Sequence, residues 1–230
     1  MLSRDQGIMP DKLMAYSDVS VRAREFIIST YHNLPNVLLV TSLLLGAIQG
    51  NLSMLWVAIG MIINMFVILG SQELLGLLFP LWAQVHQPSS KTCSLFQDVL
   101  GPPTTIVAPS YWFASTTYFV VFVLYNALQV ANRPSAPGAN SKKIDIRVAF
   151  TMSVMILSIF FFCLLMLRGL TGCETWLGSS LGVLFGSAVA IFYWHVLNFC
   201  HSGIPPDILN VVTALAPTKT DDKTPVICTA

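Results

Sequence analysis

An all-α, polytopic membrane helix bundle is the fold class this sequence predicts, and three observations predict it. Hydrophobic residues fill 54% of the 230 positions and charged residues only 10%, a balance typical of chains whose main solvent is lipid. Apolar runs of the ~20 residues needed to cross a bilayer recur along the chain. The segments between them are polar or rich in Pro and Gly, as connections outside the hydrocarbon are. Formal net charge is +1, and no basic block is interleaved with aromatics, so nucleic acid is excluded as a partner.

The first 18 residues are polar and carry both signs of charge. A cleaved signal would place an apolar core behind an early basic region, so the N-terminus is expected to be kept. From Val19 to Tyr31, Arg22, Arg24 and Glu25 alternate with Val21, Phe26, Ile27 and Ile28, a pattern suited to an interfacial helix. The run from Pro35 to Gly50 is short for a span, and Asn51-Leu52-Ser53 turns the chain into the next one. Longer runs follow at about 53–79, 111–132, 147–168 and 176–199. The expected total is about five transmembrane helices plus the N-terminal interfacial helix. Three regions result: a polar arm with the interfacial helix (1–34), a transmembrane domain (35–201) and a polar C-terminal tail (202–230).

Five spans put the loop 80–110 and the turn 168–176 on one face. Lys and Arg do not orient that face: Arg4, Lys12, Arg22, Arg24, Lys91 and Arg168 fall on one side, and Arg133, Lys142, Lys143, Arg147, Lys219 and Lys223 on the other. Cys93 and Cys173 share the first face, where a disulfide and two separate thiols are both open readings; Cys163 and Cys200 lie in spans, as small apolar fillers. His195 follows Phe192-Tyr193-Trp194, a setting for hydrogen-bonded packing. The chain carries no HExxH, nucleophile elbow, phosphate-cradling Gly-rich loop or metal-ligand spacing, so neither a cofactor nor a metal is expected. No span carries an ionisable pair at mid-depth, which argues against coupled transport.

Three short motifs occur in order. The first is Gln72, six residues, then Phe79-Pro80. The second, Pro109-Ser110-Tyr111-Trp112, opens a helix. The third is Leu167-Arg168, five residues, then Glu174-Thr175-Trp176, with Gly178, Gly182 and Gly186 beyond. In spacing this resembles the type 2 phosphatidic acid phosphatase (PAP2) superfamily, above all its dolichyl-diphosphatase-like branch. That family has Lys, six residues, Arg-Pro; then Pro-Ser-Gly/Ser-His; then Ser-Arg, five residues, His. The resemblance spans about Pro35 to His201.

What the resemblance implies for chemistry is loss. Its members attack phosphorus with the third-motif His, protonate the leaving group with the second-motif His, and hold phosphate oxygens with Lys and Arg. Here those places hold Glu174, Trp112, Gln72 and Phe79, and only Arg168 survives to meet a phosphate. An indole transfers no proton at neutral pH, and Glu174 repels an anion. Since phosphoryl transfer depends on positioning and charge stabilisation, a catalytically dead lipid-phosphatase fold is expected.

Three functional classes follow. The first is a structural or assembly subunit, with the lipid bilayer and other protein subunits as partners. The second is a pseudoenzyme holding a lipid phosphate at Arg168 and Ser110. The third is an active lipid phosphatase by another route, with Glu174 as nucleophile and His86 as acid. The expected location is the endoplasmic reticulum or a membrane derived from it, that of a cell or of an enveloped viral particle. A purely structural account of the same residues is also open: Arg168 snorkelling to the interface, Glu174 favouring a helix start, and Trp112 and Trp176 as interfacial anchors.

Overall fold

A computed structural model describes residues 11–78, 108–132, 141–170, 174–200 and 208. The described residues form six helices and no strand: α1 (Asp11–His32), α2 (Leu34–Gln49), α3 (Leu52–Leu78), α4 (Tyr111–Ala131), α5 (Ser141–Leu170) and α6 (Trp176–Cys200). Phe79 and Pro80 of the first motif, His86, Cys93 and Cys173 lie outside the described residues, as does nearly all of the tail.

Among the described residues, four helices are long and apolar enough to cross a membrane, over Leu52–Leu78, Tyr111–Ala131, Ile144–Met166 and Trp176–Cys200. The chain is thus an integral membrane protein. The expectation of five spans is met only if Ser20–Tyr31 and Leu34–Gln49, bent by 81° at the break between them, count together as one broken span. Taken alone, the 16 residues of α2 reach about 24 Å at ~1.5 Å per residue, short of a ~30 Å hydrocarbon core.

The bend has a chemical cause. Pro35 has no N–H to give the carbonyl of Tyr31 four residues earlier, so the backbone ladder from α1 into α2 is interrupted there. Asn33 takes up φ −91° and ψ 10° at the junction, and its side chain donates to the Ser29 carbonyl at 3.2 Å. At its other end α2 stops on Gly50, whose φ of 63° is left-handed. Asn51 then starts α3, its Oδ1 accepting from Ser53 N at 3.0 Å while its Nδ2 donates to the Ile208 carbonyl at 2.7 Å.

α4 is the axis of the bundle. It packs against α2, α3, α5 and α6, and 61% of its span window is buried, against 17% for α5. α4 and α6 run parallel, both starting at the same end of the molecule, and they approach closely because α6 presents glycine where they cross. A Cβ on Gly182 would stand 2.8 Å from the Ser110 carbonyl oxygen, and one on Gly186 would collide with the backbone of Ala114. Such small-residue seams are how helices associate where lipid supplies no hydrophobic drive. One core cluster gathers Val57, Met61, Tyr118, Phe122, Tyr193 and Trp194, with Ile208 packed on it. A second, nearer the α4 N-terminus, gathers Trp112, Phe113, Val120 and Leu165.

Candidate functional site

Four helix ends and the α1–α2 junction meet at one end of the bundle, and most of the described motif positions meet there with them. Ser110 caps α4: its backbone is extended and its hydroxyl accepts from Phe113 N at 3.3 Å, satisfying one of the amides that a helix start leaves unpaired. Ser110 N in turn donates to the Gly178 carbonyl at 2.9 Å, which fixes the start of α4 to the first turn of α6. Thr175 caps α6 by accepting from Gly178 N at 3.1 Å. From α3, Gln72 Nε2 donates to the Pro109 carbonyl at 2.7 Å. The residue at the lost cation position therefore ties the end of α3 to the turn that enters α4.

Arg168 and Glu174 bracket the α5–α6 turn and form an ion pair, Nε to Oε1 at 3.4 Å, with both side chains about nine-tenths buried. The Ser110 hydroxyl hydrogen-bonds the same carboxylate. Two parallel helix starts thus face Glu174, and their aligned peptide dipoles favour its negative charge. Burial pushes the Glu174 carboxyl above its ordinary value, with the Ser110 hydrogen bond and Arg168 pulling the other way. Burial likewise lowers Arg168, opposed by Glu174.

Trp112 closes the cluster. The Arg168 guanidinium carbon lies 4.4 Å from its ring centroid, a cation–π contact, and the Tyr31 ring stands 5.3 Å away. The indole Nε1 donates to the Tyr31 carbonyl at 3.3 Å, the acceptor that Pro35 leaves unsatisfied. Trp112 therefore joins the α1–α2 junction to the start of α4 while covering the cation.

Gln72, Pro109, Ser110, Trp112, Arg168, Glu174 and Gly178 are brought together; Tyr111, half-buried, opens α4 beside them. Trp176 is exposed at 67%, as an interfacial anchor would be. Sequence reasoning missed Tyr31, although a carbonyl four residues ahead of a proline was a readable signal. His195 lies elsewhere and accepts or donates a 3.2 Å hydrogen bond with the Tyr125 hydroxyl; Cys163 and Cys200 are free and exposed on the bundle surface. Among the described residues no three His, Cys, Asp or Glu side chains gather as metal ligands. No protein-family model, curated protein or solved structure matches this chain.

Proposed function

We propose that this chain is a catalytically inactive integral membrane protein, with a phosphatase-superfamily bundle whose former active site has become a structural clasp, and that it serves as a subunit of a membrane-associated assembly. The ion pair between Arg168 and Glu174 carries the reading. The motif cation that would meet a phosphate is already neutralised by a carboxylate and covered by the Trp112 ring. A phosphate entering there has to displace Glu174, break its bond to Ser110 and uncover a buried guanidinium, a sequence of losses with no second motif cation in return. The groups that remain close a ring of contacts from α3 through α4 and α5 to α6, and through Tyr31 to the α1–α2 junction. The clasp thus gives the bundle one fixed end.

The catalytic half of the reading is tested by phosphate release from phosphatidic acid and dolichyl diphosphate in detergent. Wild type and Glu174→Gln should be indistinguishable, both at background. Turnover by wild type that Glu174→Gln abolishes would establish the altered-nucleophile reading instead. Saturable binding of a lipid phosphate that Arg168→Met removes would establish a binding pseudoenzyme. The assembly half is tested by affinity purification from the native membrane, where stoichiometric partner chains are expected.

A further inference from the structure

Midway along the bundle, polar side chains from three helices are buried without a hydrogen-bond partner. Asn64 on α3 is fully buried, and neither its Oδ1 nor its Nδ2 is bonded. The hydroxyls of Ser115 and Tyr118 on α4 and of Tyr193 on α6 are likewise unbonded. These groups share one region. Tyr118 and Tyr193 both close on Gly60: a Cβ there would collide with the Tyr118 hydroxyl and lie 2.6 Å from the Tyr193 ring. Asn64 is one helical turn from Gly60 on the same face of α3, and Ser115 precedes Tyr118 by three residues, on the same face of α4. The two tyrosine rings are 6.5 Å apart between centroids. Gly60 is the absent side chain that lets the Tyr118 hydroxyl reach α3.

An amide or hydroxyl without a partner costs several kcal/mol in a hydrocarbon surrounding. A primary amide and three hydroxyls leaving every bond unmade is a loss that a marginally stable bundle cannot carry. The missing partner must both donate and accept, since an amide offers N–H and C=O and each hydroxyl offers both. Water meets these conditions, and buried waters commonly make about three such bonds.

We propose that Asn64, Ser115, Tyr118 and Tyr193 form a binding site for internal water at mid-depth, separate from the clasp at the end of the bundle. The site gives α3, α4 and α6 a shared polar register in a region where apolar side chains alone would let them slide.

X-ray hydroxyl-radical footprinting on the intact protein in detergent tests this, because radicals made from bound water modify the side chains that touch it. Tyr118 should be oxidised several-fold faster than Phe122, which is equally buried on the same helix. The Asn64→Leu variant should lose that excess. In parallel, Tyr118→Phe, which deletes only the hydroxyl, should lower the Tm by about 2–4 °C, the shift that losing one satisfied hydrogen bond produces in a chain of this size. Labelling of Tyr118 no faster than Phe122 overturns the proposal. So does an unchanged or raised Tm for Tyr118→Phe, since removing a hydroxyl that has no partner is neutral or stabilising.

Discussion

At the residue scale, the Arg168–Glu174 pair is held by desolvated contacts rather than by a bare Coulomb attraction. The guanidinium has an indole face and a carboxylate, and the carboxylate has the guanidinium, the Ser110 hydroxyl and two helix starts. Removing one partner of such a pair leaves the other buried and uncompensated, typically at a cost of about 3–5 kcal/mol, whereas exchanging both for apolar groups is often nearly neutral. Glu174→Leu alone should therefore destabilise by about that amount. Arg168→Met combined with Glu174→Leu should be more stable than the single variant, with the Met sulfur keeping a contact to Trp112. Thermal unfolding of Glu174→Leu, Arg168→Met and the double variant in one detergent measures it. A double variant as unstable as the sum of the singles would mean that the two side chains do not act as a pair.

How far this cluster could be read in the sequence depended on distance along the chain. Arg168 and Glu174 flank one short turn, and their juxtaposition was legible because so short a connection keeps its two ends close, even though α5 and α6 each pack on α4 rather than on one another. Bringing Ser110 to the same place needed the resemblance between spaced motifs. The role of Gln72, whose partner is 37 residues away, and that of Tyr31, 81 residues from Trp112, depend on tertiary packing that no local pattern encodes. Asn64 was invisible for another reason: one polar residue inside a long apolar run reads as filler until the helices that face it are known.

At the scale of elements, the span boundaries were legible because the hydrophobic runs end at charged, Pro or Gly residues. α4 and α6 begin within the predicted stretches at Tyr111 and Trp176. α2 was less so, since its length falls between a core helix and a span and its fate is set by the bend at Pro35. The glycines of α6 looked like generic small-residue packing, and the structure sorts them by what stands opposite. Gly186 faces the Ala114 backbone, which cannot give way, so Gly186→Leu should separate α4 from α6 at a cost of about 3 kcal/mol or more. Gly70 on α3 has nothing within 4 Å of an added Cβ. Gly70→Ala should instead stabilise the helix by about 0.5–1 kcal/mol. Opposite signs for these two glycine substitutions in thermal unfolding would locate the seam; equal effects would remove it.

At the scale of the whole molecule, the α1–α2 junction and Ile208 lie at opposite ends of the bundle. The α1–α2 junction reaches Trp112 at the clasp, while Ile208 docks against Asn51 at the far end and is 2% exposed. Ile208 belongs with the bundle core, so any test of the polar tail has to leave it in place. The residues beyond it, which include Lys219, Asp221, Asp222 and Lys223, are too polar to bury a core of their own. Ordering each residue costs roughly 1–2 kcal/mol of backbone entropy, a cost that contacts with a neighbouring chain can offset. An arm on each face would let one subunit join layers on both sides of a membrane. Deleting 212–230 should therefore leave membrane insertion and Tm unchanged, because a segment of this polarity adds little to an apolar bundle core, while the protein falls out of its assembly on affinity purification. If the truncated chain still co-purifies with every partner at full stoichiometry, association must run through the membrane-embedded surface. The broad apolar side of α5, with Ile156, Leu157 and Phe160 more than half exposed, would then be the first place to cross-link.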